Sequence, residues 1–273
     1  MIDPGVVLAW GVPQLRDLPW RAERDPWAIL VAEVMLQQTQ AERVVPKWHA
    51  FLDTYPDPAA CASAPLGDVL RLWQGLGYPR RARNLRGAAD LIVEQHSGAV
   101  PDDLDALLAL PGVGAYTARA VLAFAFERDV GVVDTNIARV LARTAGERLT
   151  PKRVQAIADA VVPIGHGWIW NQVLMDLGAG VCRPAPACEG CPARASCAWR
   201  VAGHPDPDPA VGSAGVSARQ ARFDGSDRQA RGRILAALHD HPRRASEFDA
   251  RILTTLVTDG LVELSDGIAR LPT

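Results

Sequence analysis

The stretch from Leu110 to Asn136, LPGVGAYTARAVLAFAFERDVGVVDTN, constrains the fold of this chain more than any other. Leu110-Pro111-Gly112-Val113-Gly114 predicts a tight hairpin between two helices. Two glycines two residues apart permit left-handed dihedrals and leave backbone N–H groups uncovered by side chains. The helix expected from about Ala115 to Phe126 points its N-terminus into that hairpin. Exposed amides and a positive helix end together bind a phosphate without any Lys or Arg. After Val130-Gly131-Val132-Val133 comes Asp134, an acid at the start of the next helix. The same residues also suit a buried helical hairpin with an ordinary Asp cap, so the flanking sequence has to decide.

Upstream, Asp25-Pro26 predicts an N-cap with proline at the first helical position. The apolar pattern carries that helix through Gln40. From Pro26 to Leu36 its sole ionisable residue is Glu33. A helix this apolar is buried on most sides, so Glu33 faces a cleft, sits desolvated, or marks one narrow solvent face. Desolvation raises a carboxyl pKa toward neutrality, which a general acid needs.

Residues 41–109 predict short amphipathic helices broken at Pro46, Pro56, Pro65 and Pro101. Among them Trp73-Gln74-Gly75-Leu76-Gly77-Tyr78 leads into Arg80, Arg81, Arg83 and Arg86. An aromatic on a glycine-flanked loop beside guanidinium groups suits stacking on bases with phosphates nearby. A solvated basic helix start reads equally well. Net charge is −2, so any grip on a polyanion must be local. Only Lys47 and Lys152 are lysines, leaving few candidates for Schiff-base chemistry.

Four of the five cysteines, Cys182, Cys188, Cys191 and Cys197, fall in one short loop after a helix near Trp168–Gly178 that contains Gln172. In a reducing compartment such a cluster binds metal rather than forming disulfides. Zinc and a [4Fe–4S] cluster both fit the spacing. No apolar run is long enough to span a membrane, and the N-terminus lacks a basic region before its apolar patch, so a cytoplasmic protein is expected. Residues 201–222 read as a linker rich in Pro, Gly and Asp. Residues 223–273 then read as helix, helix and a two-stranded wing turning at Asp266-Gly267, a winged-helix-like module.

LPGVG…VVDTN followed by four clustered cysteines resembles the helix-hairpin-helix DNA glycosylases that carry an iron–sulfur cluster. LPWR, EVMLQQTQ, GLGY…RARN and NQVLMDLGAGVC are similar to the MutY-type adenine glycosylases within them. The resemblance covers roughly residues 12–200, and the tail with FDGSDRQARG resembles short-form members without a Nudix-like domain. It implies a mainly α, two-subdomain helix-hairpin-helix glycosylase fold over residues 1–200, with a cluster loop at 182–197 and the small winged-helix-like module behind the linker. One departure stands out: five residues separate Cys182 from Cys188, where the family usually has six. A [4Fe–4S] cluster is still expected.

The resemblance also implies roles. Adenine opposite 8-oxoguanine or guanine in double-stranded DNA is flipped into a pocket between the two subdomains. Glu33 protonates the leaving base and then activates water. Asp134 stabilises the oxocarbenium-like sugar, kept charged by the N–H bonds of its cap position. Tyr116 occupies the position of a nucleophilic lysine in lyase-competent relatives, which predicts a monofunctional enzyme that leaves the abasic strand uncut. Gln38 and Tyr78 correspond to side chains that wedge into the base stack, with Gln37 beside them and Thr39 against the opposite base. Trp20, Arg21 and Gln172 fall at adenine-pocket positions, although packing also suits Trp20. Gly112, Gly114 and Asn136 fall within DNA-contacting motifs. A monomer acting on nucleoid DNA is expected. Two other readings remain: a mismatch thymine glycosylase of the same superfamily, and a non-catalytic iron–sulfur DNA-binding regulator.

Overall fold

The computed structural model describes residues 2–216 and 222–273. In chain order its helices begin α1 (Pro4–Gly11), α2 (Pro19–Ala22), α3 (Pro26–Leu36), α4 (Ala41–Thr54), α5 (Pro58–Ser63), α6 (Leu66–Trp73), α7 (Arg80–His96) and α8 (Leu104–Ala109). They continue with α9 (Ala115–Phe124), α10 (Thr135–Ala145), α11 (Pro151–Ala160), α12 (Gly167–Gly180), α13 (Ala198–Val201), α14 (Asp227–Ala237) and α15 (Ala250–Thr258). Three short strands, β1 (Arg243–Arg244), β2 (Glu263–Ser265) and β3 (Ile268–Arg270), form an antiparallel sheet in the order β1-β3-β2. The chain divides into two compact units: Met1–Arg24 with Ala115–Arg219, and Asp25–Gly114 with Gln220–Thr273. No described helix is long and apolar enough to cross a membrane.

The first unit is organised on α10 and α12. Ile137, Val140 and Leu141 of α10 share a buried core with Trp170, Val173, Leu174 and Leu177 of α12 and with Val7 of α1. The helices meet closely where Gly178 faces Asn136. A Cβ there would lie 2.6 Å from the Asn136 Cβ and 2.7 Å from its carbonyl oxygen, so no larger side chain fits without displacing backbone. The segment expected as a linker is bound to this unit through Val216. Asp208 pairs with Arg143, the Ser213 hydroxyl accepts from the Leu149 amide, and the Ala214 amide donates to the Leu149 carbonyl. Residues 217–221 of that segment lie outside the described residues.

The second unit packs α3 to α8 around Leu30, Met35, Phe51, Trp73, Leu85, Ile92 and Leu107, all essentially buried. Two indole N–H groups close the core, Trp27 onto the Tyr55 carbonyl at 3.0 Å and Trp48 onto the Ala28 carbonyl at 2.9 Å. Pro46 does not break the chain as expected; α4 runs through it. Burial of Val44, Trp48 and Phe51 along one face outweighs the single i to i−4 bond that proline removes. The C-terminal residues form α14, α15 and the β2–β3 hairpin, to which β1 adds a third strand, with Asp266 (φ 51°) and Gly267 (φ 73°) both left-handed, as a two-residue Asp-Gly hairpin turn requires. This wing module belongs to the same compact unit as residues 25–114. The Arg71 Nε donates to the His239 carbonyl at 2.7 Å and the Gly67 amide to the Pro272 carbonyl at 2.7 Å. Asp259 takes guanidinium bonds from Arg80 and Arg231.

Candidate active site and thiol cluster

In the second unit, Asp25 caps α3 as its sequence requires, its carboxylate accepting from the Ala28 amide at 2.9 Å. Every residue from Trp27 to Met35 is buried, Glu33 among them at 4% exposure. So Glu33 is an acid set into an apolar helix, and it does not mark a solvent face. The helix ends at Leu36, four residues earlier than the pattern predicts. The cause is Arg81. Its Nη1 donates to the carbonyls of Val34, Met35 and Gln37, each at 2.8 Å, and so takes over acceptors that a continuing helix would have filled with its own amides.

The same guanidinium reaches the neighbouring loop. Its Nη2 donates to the Thr39 hydroxyl (3.1 Å) and to the carbonyls of Leu76 (3.0 Å) and Gly77 (2.9 Å), and its plane lies 5.3 Å from the Trp73 ring and 5.5 Å from the Tyr78 ring. One side chain therefore binds the end of the Glu33 helix, the Gln37–Thr39 turn and the Tyr78 loop together. Burial holds its pKa down to about 10. Gln38 (φ 58°) and Tyr78 (φ 49°) are both non-glycine residues in left-handed conformation, a sparsely populated state that surrounding contacts must impose. Gln38 is exposed, whereas Gln37, Thr39 and Tyr78 are half-buried. The Thr39 hydroxyl is engaged with Arg81 and the Leu76 carbonyl.

The arginine run is divided: Arg80 at the helix start stays exposed, and the others turn inward to protein partners. Arg81 is buried, Arg80 and Arg83 bond to Asp259, and Arg86 bonds to Asp90 and to the carbonyls of Ala62 and Ala64. In the hairpin, Gly112 is left-handed (φ 78°), and a Cβ on it would lie 2.8 Å from the Asn84 Cβ. Gly114 differs from expectation: it takes no positive φ, and the space around it is open. Its missing side chain uncovers backbone without enabling the turn.

In the first unit Asp134 is the N-cap of α10. One carboxylate oxygen accepts from the Ile137 amide at 2.7 Å and the other from the Asn136 side-chain amide at 2.8 Å. Asn136 is in turn held by Arg139, whose guanidinium also donates to the carbonyls of Gly178 and Cys182. Behind Asp134, the buried Asn171 accepts from the Val132 amide and donates to the Val130 carbonyl, both at 2.9 Å, so the approach to the cap is fixed. Burial raises the Asp134 pKa above the ordinary aspartate value, and the Ile137 and Asn136 hydrogen bonds act against that shift. Tyr116 is half-buried in the first turn of α9. Trp20 and Gln172 are buried. Arg21 is also buried, and it makes a bidentate pair with Asp176 at 2.7 and 2.8 Å, so here it anchors the N-terminal segment to α12. Burial alone would raise the Asp176 pKa, but Arg21 and the Arg16 amide hold it below the usual range.

Also in this unit, Cys182, Cys188, Cys191 and Cys197 line one shared pocket with Val140, Arg143 and Leu177. No three His, Cys, Asp or Glu side chains among the described residues converge as a single metal ion needs. Arg143, 2% exposed, supports the loop. Its guanidinium meets the Cys182 Sγ at 3.4 Å, donates to the carbonyls of Arg183 (2.6 Å) and Pro184 (3.0 Å) and pairs with Asp208 at 2.6 Å. His204 Nε2 lies 3.4 Å from the Cys188 Sγ. The buried bonding roles of Arg81, Arg143 and Asn171 are not legible in the sequence. A buried arginine differs from an exposed one only in partners that lie far away in sequence.

This fold, with a glycine hairpin, a capped aspartate and a four-thiol loop, is that of a DNA-repair glycosylase. Residues 31–164 match the HhH-GPD superfamily of base excision DNA repair proteins. A solved thermostable thymine-DNA glycosylase superposes with a TM-score of 0.70 at 32% identity, covering 73% of this chain and 95% of that one. An endonuclease III in a non-covalent DNA complex shares the fold at a TM-score of 0.63 and 24% identity, covering 74% of this chain and 99% of that one. Among curated sequences, the adenine DNA glycosylase of Mycobacterium tuberculosis is 42% identical over 97% of this chain and 92% of its own length. The chain belongs to the adenine DNA glycosylase family of that superfamily.

Proposed function

We propose that this chain hydrolyses the N-glycosidic bond of adenine mispaired with 8-oxoguanine or guanine in duplex DNA and leaves the abasic strand uncut. The observation that carries this is Glu33: a carboxyl group in an otherwise apolar, buried helix whose end is fixed to the Gln38 turn and the Tyr78 loop by one guanidinium. A proton donor of this kind can protonate the adenine ring so that it leaves as a neutral base. Asp134 then stabilises the cationic sugar, and Glu33, now ionised, deprotonates the incoming water, as in two-carboxylate glycosidase chemistry. Asn136 and Arg139 orient Asp134. Gln38 and Tyr78 enter the base stack, and Gly112 and Gly114 offer backbone amides to phosphate. A phenol at Tyr116 forms no Schiff base, which is why no strand cleavage is expected.

The four cysteines would hold a [4Fe–4S] cluster, which when bound ties distant points of the loop together through iron–thiolate bonds. The chain would act as a monomer on cytoplasmic, nucleoid DNA.

Base release from duplexes carrying A opposite 8-oxoguanine, A opposite G, and T opposite G tests the reading. Release of adenine alone is expected, and Glu33→Gln abolishes it while duplex binding is retained. Release of thymine from T·G would favour the thymine glycosylase reading, which the 32% identical structure keeps in view. Duplex binding without any base release would favour a regulator.

A further inference from the structure

The wing module makes a contact that the functions above leave unused. Arg228, in the first turn of α14, donates from Nη1 to the Tyr78 hydroxyl at 2.6 Å. Its guanidinium lies 5.5 Å from the Tyr78 ring centroid and 5.2 Å from that of Phe223, an aromatic left 51% exposed. All three residues belong to one compact unit.

Two features give this contact meaning. First, Tyr78 has a left-handed backbone, so its ring direction depends on what holds it. Arg81 and the Trp73 indole fix the loop from the backbone side, through the carbonyls of Leu76 and Gly77. Arg228 fixes the far end, the hydroxyl. Second, Arg228 is itself oriented. Phe223 stands beside its guanidinium, and α14 is tied through Arg231 to Asp259, which Arg80 of α7 also holds. Cation–π contact and a charge-assisted hydrogen bond act on the same phenol, and each is stronger than a neutral contact of the same size. They also place a positive charge beside a side chain that must approach a polyanion.

We propose that Arg228 is a positioning residue for Tyr78, through which the C-terminal wing module sets the geometry of the base-stack wedge. This rests on the reading of Tyr78 as that wedge. The test is a double-mutant cycle with full-length protein, binding a duplex in which a non-hydrolysable adenosine analogue faces 8-oxoguanine. Arg228→Ala weakens binding about fivefold in the wild-type background, and by less than about twofold when Tyr78 is already Phe, because the two changes remove one shared bond. Tyr78→Phe alone, which leaves the wing module intact, loses a similar factor. Equal losses from Arg228→Ala in both backgrounds would overturn the proposal, since Arg228 would then act on DNA independently of Tyr78. So would wild-type binding by Tyr78→Phe, which stays informative even if Arg228→Ala fails to fold. Adenine release by the wild-type protein is measured alongside. Its absence would sink the glycosylase reading, whereas release without coupling would sink this inference alone.

Discussion

Replacing Arg81 by methionine isolates the clamp that holds the Glu33 helix. The thioether stem fills most of the volume of the arginine stem, so the loss is chiefly polar. Six acceptors lose their donor: the carbonyls of Val34, Met35, Gln37, Leu76 and Gly77, and the Thr39 hydroxyl. Three of those bonds, to Val34, Met35 and Leu76, are fully buried, so water cannot replace the guanidinium there. An orphaned buried carbonyl costs about 1–3 kcal/mol, which gives roughly 3–9 kcal/mol for the three. Against this stands the desolvation of the guanidinium, several kcal/mol that the variant no longer spends. Taking about 6 kcal/mol for the orphaned carbonyls less about 3 kcal/mol of desolvation leaves about 3 kcal/mol lost, read from urea unfolding followed by tryptophan fluorescence, with Trp73 beside the clamp as reporter. Arg81→Lys should recover only part of this, because one ammonium with three donors cannot serve six acceptors on two loops. A loss below about 1 kcal/mol for Arg81→Met would refute the clamp, since it would mean that the six acceptors find other partners at little cost.

Asp134→Asn should separate stability from chemistry. Asparagine still accepts the Ile137 amide as a cap but loses the bond from the Asn136 side chain, while burial disfavours the aspartate charge, so melting temperature at neutral pH changes little while adenine release collapses. For the same reason the native Asp134 opposes folding above its folded pKa, and that penalty fades as pH falls through it. The acid limb of base release, followed by single-turnover kinetics, should lie above the range of an ordinary aspartate. Asp259 has the opposite sign. The Arg80 hydrogen bond, then Arg231, hold its carboxyl below the usual range against burial, so its stabilisation is present above the unfolded pKa and disappears as pH falls through the depressed folded one. Asp259→Asn should remove about 2 kcal/mol at neutral pH, seen as faster hydrogen exchange in α14 and α15. Arg143→Leu leaves Asp208 and two loop carbonyls unpaired, so iron content and visible absorption per chain should fall even where the four cysteines remain.

Much of this protein could be read from local rules. Asp25-Pro26, Asp134-Thr135, Gly112 and Asp266-Gly267 each force a particular backbone, because caps and left-handed turns depend on neighbouring atoms only. The four-cysteine loop was equally plain, since ligand spacing is itself a sequence property. What tertiary structure decided is the fate of the charged side chains. From sequence, Arg80 to Arg86 reads as a basic surface, and the cap bonds of Asp134 read as the main influence on its carboxyl. In the folded chain Arg81 is enclosed by carbonyls 44 to 47 residues before it and four to five residues before it, and burial outweighs the cap bonds in setting the direction of the Asp134 shift. Desolvation and long-range pairing depend on which surfaces meet, and no local pattern of residues carries that information. The wing module shows the same division: its helices and turn follow from sequence, but its seat beside Tyr78 depends on long-range pairs such as Arg228 with Tyr78, Arg80 with Asp259 and Arg71 with the His239 carbonyl.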